Sequence, residues 1–341
     1  LSDEELDVLS SHLTYPLFLT GRAGSGKSTM LQYLFSEYVI RYVASKIETP
    51  PLYLSWSEFL VAKAKDVATT LLEKNPAYTK VLDNYGIVYG RDVKPILPSL
   101  FKSFAELVKD CIRKRNPGVL SKRFAAGKYI SFPLFKVMWN ERFGQDHEAA
   151  TKYGPELSWH IIRSYIKGWD CAKLLQPTDF NKIGKSYQDV SEEEYKLVYN
   201  KVWKDWYSKI GNDRRWDDLD LVRYCLQPDD GSDSCITEGT YSAIFCDESQ
   251  DFTRVETELI LKLSIFTQRK LNVDDVSRLP IVFAGDEAQT LNPTGFSWDS
   301  LRSYFTDRLN TMLQLKDRGA SLSAPPTWTL KQNYRSLPPI V

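Results

Sequence analysis

An α/β fold, a parallel sheet flanked by helices and interrupted by one large helical insertion, is what this sequence predicts. Three observations lead there. Short apolar runs alternate with helix-spaced segments toward both ends of the chain, the pattern of parallel strands joined by crossover helices. Between them, from about residue 105 to 215, strand alternation gives way to amphipathic helical patterns rich in Trp and Tyr. The first strand–helix junction carries a glycine-rich loop of defined spacing, Gly21-Arg22-Ala23-Gly24-Ser25-Gly26-Lys27-Ser28.

Taken in order, residues 1–14 read as an amphipathic helix with Ser2 as cap and acids in its first turn. The run 15–20 reads as a short buried strand, and Met30, Leu31, Leu34, Phe35 and Tyr38 give the next helix its apolar face. A second strand is expected at 51–56 and a second helix from Ser57 onward. Residues 89–100, broken by Pro95 and Pro98, are the third strand region, followed by a helix at 101–111. The insertion carries helical patterns at 134–143, 157–166 and 192–210. Strands resume at 241–246 and 279–284, with a last one at 327–330.

The 341 residues suffice for two domains, or for one domain with an insertion, and 43% apolar content supplies a core. Basic and acidic residues number 44 each, so any nucleic-acid affinity must come from a local patch. One such patch spans 109–128, with Lys109, Arg113, Lys114, Arg115, Lys122, Arg123 and Lys128 against the single acid Asp110. It reads equally as a phosphate-tracking surface or as a solvated helix face. Five cysteines without a C-x-x-C pair and three histidines argue against a zinc site or a disulfide framework and for a reducing, intracellular compartment. No signal peptide and no bilayer-length apolar run is expected. The chain begins at Leu1 rather than Met and stops at Val341, so it reads as part of a longer protein with further domains.

The glycine-rich loop fits G-x-x-x-x-G-K-[ST], the phosphate-binding P-loop, in its required strand–loop–helix setting. Glycines let successive N–H groups converge on phosphate oxygens, and the helix N-terminus adds partial positive charge. Gly21, Gly24, Ser25, Gly26, Lys27, Ser28 and Thr29 are therefore the candidate ATP-binding residues, with Lys27 on the terminal phosphates and the Ser28 hydroxyl on Mg²⁺. A later apolar strand ends in Asp247-Glu248-Ser249-Gln250-Asp251. Asp247 is the candidate Mg²⁺ carboxylate and Glu248 the base that orients the attacking water. Gly285-Asp286-Glu287-Ala288-Gln289 follows another apolar strand, and Gln289 is a candidate γ-phosphate sensor. In Leu330-Lys331-Gln332-Asn333-Tyr334-Arg335-Ser336, Arg335 is a further γ-phosphate candidate.

In order and in strand-end placement, these four motifs resemble the series of UvrD/Rep-type superfamily 1 DNA helicases. Residues 161–168 and 216–222 are similar to a divergent UvrD-like branch found in large multidomain proteins, including ones with TPR and ankyrin repeats. The resemblance implies a first RecA-like ATPase domain built from residues 1–104 and 216–341, with a helical subdomain inserted at 105–215. A second RecA-like domain would lie after Val341. It implies ATP hydrolysis stimulated by single-stranded DNA and coupled to 3′-to-5′ translocation, with ATP and Mg²⁺ as cofactors and DNA favoured over RNA. Trp56, Phe101, Phe296, Trp298, Lys114 and Arg115 are the candidate nucleic-acid contacts; for Phe296 and Trp298 core packing is the equal alternative. Glu5 stands where the family carries an adenine-reading Gln; a carboxylate accepts from the adenine amino group but does not donate to N7. The alternatives are an RNA helicase of the same superfamily, or a nucleotide-gated interaction module that moves no strand.

Overall fold

The structure is a computed structural model. It describes residues 15–185, 188–210, 215–228, 231, 233–264, 278–289, 297–313, 322 and 324–331. The expected N-terminal helix with Glu5, and also Phe296 and Arg335, lie outside these residues.

Among the described residues six strands form one all-parallel sheet: β1 (Tyr15–Gly21), β2 (Pro51–Ser55), β3 (Phe101–Ser103), β4 (Ala243–Cys246), β5 (Arg278–Gly285) and β6 (Thr327–Leu330). Their spatial order is β3-β2-β4-β5-β1-β6, with parallel pairing throughout. Parallel strands need crossover connections and are covered on both faces, which is why these segments read as continuous apolar runs. The period of two then divides them between two cores. Leu17, Leu19, Tyr53, Phe245 and Val282 face one side, where they meet α1 (Lys27–Ala44), α2 (Glu58–Lys74) and α3 (Pro76–Asn84). Phe18, Leu52, Leu54, Ile244 and Phe283 face the other, where they meet α4 (Phe104–Arg115) and, later in the chain, α9 (Asp218–Leu226), α10 (Arg254–Leu263) and α11 (Trp298–Met312).

Between α4 and α9 the chain builds a third core of its own, from Ile130 to Tyr207, around Phe135, Trp139, Trp159, Tyr165, Phe180 and Tyr195. It contains α5 (Phe132–Phe143), α6 (His147–Tyr153), α7 (Pro155–His160) and α8 (Glu192–Val198). Two of its helices widen into π-helical segments, α7 into Ile161–Lys167 and α8 into Tyr199–Tyr207. Such i→i+5 stretches are rare and cluster at functional sites.

Two expectations need correction. The third strand is not within 89–100, which forms a π turn at Tyr89–Val93 and a 3₁₀ turn at Leu97–Leu100. Pro95 and Pro98 withhold two backbone donors there, and the strand is the short Phe101–Ser103 that follows. The helical unit also begins later than residue 105. Phe104, Leu107, Val108 and Ile112 of α4 pack on the sheet, and so does Phe124.

Candidate nucleotide site and its surroundings

β1 ends at Gly21, and α1 starts six residues later behind an N-cap, Gly26, that has no side chain to cap it. Gly24 and Gly26 hold φ of 78° and 89°, conformations that a β-carbon would strain. That geometry turns the loop back over the start of α1. Met30, Leu31, Leu34, Phe35 and Val39 anchor α1 in the core, so the loop is held from behind. Lys27 is nearly buried, its ammonium donating to the Gly21 carbonyl at 2.6 Å and the Arg22 carbonyl at 3.1 Å. The Ser25 hydroxyl is buried without a hydrogen-bond partner among the described residues. Thr29 is exposed.

Parallel pairing of β1 with β5, and of β5 with β4, brings the second motif beside the first. The Ser28 hydroxyl donates to Asp247 Oδ1 at 3.1 Å, across 219 positions of sequence. Asp247 is buried, and its Oδ2 accepts from the Tyr53 hydroxyl at 2.8 Å. Burial, and then the charge of Glu248, push its carboxyl up to about 6, against the hydrogen bonds from Tyr53 and Ser28. An acid that the fold makes costly to ionise is suited to a counter-cation. Glu248, next in line, has φ 53° and ψ 49°, a left-handed conformation rare for a residue with a β-carbon. Backbone strain of this kind concentrates at functional positions.

Gln250 ties this loop to the third motif. Its Nε2 donates to Glu248 Oε2 at 2.6 Å and to the Gln289 carbonyl at 3.4 Å, and its Oε1 accepts from the Asp286 N–H at 3.0 Å. The Gln289 amide itself donates to Asp286 Oδ2 at 2.5 Å. Sequence reasoning missed Tyr53, which it read only as a strand residue, and it gave Gln250 no role of its own. Tyr53 carried no signal beyond its place in an apolar run, whereas Gln250 was visible as a polar residue between two acids. The buried Ser25 hydroxyl, the left-handed glycines and the Ser28–Asp247–Tyr53 cluster fit ATP with Mg²⁺: the loop and Lys27 for phosphates, Ser28 and Asp247 for the cation.

The expected nucleic-acid contacts divide. Phe101 is 5% exposed, in β3 against Phe35 and Tyr53, and Trp298 is 6% exposed, edge-on to Phe18. Both are core side chains and are withdrawn as stacking surfaces; at each, the apolar sheet face won. Trp56 is half-buried between Phe104 and Phe252, with the Arg163 guanidinium over its ring at 5.0 Å. Lys114 and Arg115 are exposed, and Arg115 pairs with Asp233 at 3.2 Å. Asp110 binds both Lys102 and Arg113, and Arg123 lies over Phe124 and Tyr224, so the basic stretch is partly neutralised or packed. A groove of about 510 Å³ runs between α2 and α4, with Lys65, Lys109 and Arg113 among its walls beside Glu58 and Glu106. Next to Glu58, Phe59 is 74% exposed, an aromatic on the helix expected from Ser57 onward to which sequence reasoning assigned no role of its own.

No helix among the described residues is long and apolar enough to cross a membrane. All five cysteines are free thiols. No family model matches the chain. Over 215 residues, 61% of its length, the chain is 25% identical to the human TPR and ankyrin repeat-containing protein 1, and it spans 7% of that protein.

Proposed function

We propose that this chain is the ATP-hydrolysing part of a motor that moves on single-stranded nucleic acid, DNA favoured over RNA, with the 3′-to-5′ polarity that the motif series implies. The observation that carries the proposal is the meeting of Ser28 and Asp247 at 3.1 Å beside a strained Glu248. In this reading Ser28 and Asp247 would hold Mg²⁺, which would supply charge neutralisation at the transferring phosphate, and Lys27 would position that phosphate. Glu248, steered by Gln250, takes the proton of the attacking water. Gln289 and Arg335 remain γ-phosphate candidates. The groove lined by Lys65, Lys109 and Arg113, with the exposed Phe59 next in sequence to its Glu58, is the proposed track for the strand, since phosphates need cations and bases need exposed rings.

A second reading is a nucleotide-gated interaction module. Likeness to a protein named for TPR and ankyrin repeats supports that one. The experiment that separates them is ATP hydrolysis by the full-length protein, with and without single-stranded DNA or RNA, beside Lys27→Ala. Stimulation of tenfold or more that is lost in Lys27→Ala supports the motor. Hydrolysis indifferent to any nucleic acid overturns it in favour of the module. Phe59→Ala is expected to weaken single-strand binding by roughly 5- to 100-fold, the worth of one stacked base, with nucleotide affinity unchanged.

A further inference from the structure

The helical unit touches the sheet domain at a point two residues beyond the acid loop, and one carboxylate is shared across that joint. Glu256, fully buried, caps α10: its Oε2 accepts from the Thr253 N–H at 2.6 Å, fixing the turn that follows Asp251. Its Oε1 accepts from Arg163 Nη2 at 2.9 Å, and Arg163 belongs to the π-helical segment of the helical unit. One residue earlier in α10's first turn, the Val255 N–H donates to the Gly168 carbonyl at 2.9 Å, just past the same π segment. The Arg254 guanidinium lies between Trp169 and Tyr304, 4.7 and 4.4 Å from their ring centres.

Arg163 also reaches the site from the other side. Its guanidinium covers Trp56 at 5.0 Å, directly after β2, the strand from which Tyr53 holds Asp247. Its second amino group lies 3.8 Å from Asp218 at the start of α9. A displacement of the π segment therefore reaches two places at once, the cap of α10 that follows the acid loop and the residue just past β2, the strand that carries Tyr53. π-helical segments are rare and frequent at functional sites, and this one lies where the helical unit meets the sheet domain.

We propose that Arg163 is a positioning residue that couples the helical unit to the acid loop Asp247–Asp251, so that nucleic acid held by the protein alters hydrolysis through it. This rests on the motor reading given above. Arg163 contacts neither Asp247 nor the P-loop, so its loss is expected to change coupling rather than basal chemistry.

The test uses the full-length protein with Arg163→Met, Arg163→Lys and Glu256→Gln, and Lys167→Met as a control that breaks a neighbouring buried ion pair without touching α10. Basal hydrolysis and nucleotide Kd in Arg163→Met are expected within about threefold of the parent, while stimulation by single-stranded DNA falls tenfold or more. Arg163→Lys restores part of it, because an ammonium keeps the charge on Glu256 but not the planar contact with Trp56. Lys167→Met loses stability and keeps its stimulation. Equal loss of basal and stimulated rates in Arg163→Met, or equal uncoupling in Lys167→Met, overturns the assignment. If Arg163→Met does not fold, Glu256→Gln and Arg163→Lys carry the same comparison. If the parent itself shows no stimulation, the motor reading fails and the joint is read by hydrogen exchange. A non-hydrolysable ATP analogue should then alter protection at residues 161–169 in the parent, to a smaller extent in Arg163→Lys and not in Arg163→Met; an unchanged pattern in the parent overturns the joint as well.

Discussion

Asp247 owes its orientation to two hydroxyls on opposite oxygens, Ser28 at 3.1 Å and Tyr53 at 2.8 Å. Ser28 is the expected partner; Tyr53 is the one that fixes the carboxylate plane, because its ring is locked against Phe35 and Phe101. Tyr53→Phe removes one oxygen and keeps that packing. A hydrogen bond to a charged group is worth about 1.5–3 kcal/mol, and its loss leaves a buried oxygen without a partner. The Mg²⁺ concentration for half-maximal hydrolysis is then expected to rise roughly tenfold or more, with nucleotide binding in chelator little changed. Unchanged Mg²⁺ dependence would make Tyr53 a core residue only. Gly-Lys-Ser and Asp-Glu could be read as a phosphate and metal pair from their spelling. Nothing in Pro51-Leu52-Tyr53-Leu54 distinguishes a tyrosine whose hydroxyl serves a site from one that fills a core, because periodicity gives the face and not the partner.

At the level of elements, the end of β5 is held so close to the acid loop that only glycine fits. A β-carbon on Gly285 would stand 2.4 Å from Gln250 Oε1, the atom that accepts from Asp286. Gly285→Ala is expected to push Gln250 aside, releasing Glu248 and the Gln289 loop together. Hydrolysis should fall roughly tenfold or more, while nucleotide Kd, set by the P-loop on another strand, moves by less than about threefold. Equal losses in both would show that β5 itself had shifted. The motif spellings placed both loops at strand ends, which parallel α/β sheets require. They did not show the link between them, a side-chain bridge that spans 36 positions. β3 was misplaced for a related reason: three residues are too few to show a period, and the apolar residues before it were the stronger signal. Phe101 and Trp298 went the same way, since their type suits a base stack as well as a core.

Across the whole molecule, the chain carries no net charge but places opposite charges deep inside, where the helical unit meets the sheet domain. Lys167, nearly buried, reaches Asp217 at 2.5 Å and Asp220 at 2.7 Å, with the rings of Trp203 and Tyr207 beside it. Burial works against the ammonium, but Asp217 and Asp220 outweigh it, so its pKa stands above the usual lysine value. Burial likewise works against the Asp217 carboxylate; the charge and hydrogen bond of Lys167, with the Tyr207 hydroxyl, outweigh it and hold the group below its usual range. The signs follow from linkage. A lowered carboxylate gives stability that is present above about pH 4 and is lost as pH falls through its folded value; a raised ammonium gives stability that is present below about pH 10 and is lost as pH rises beyond. Lys167→Met removes the cation and strands the carboxylates, at a cost of about 3–5 kcal/mol near neutral pH. At ~2–4 °C per kcal/mol for a chain of this size class, Tm should drop by roughly 6–20 °C. The gap between parent and variant should narrow as pH is lowered through about 4, because the stranded carboxylates then take up protons. Thermal melts from pH 3.5 to 8 read this directly. A gap that stays constant across that range would mean that Lys167 contributes through its stem and the two aromatic rings rather than through charge.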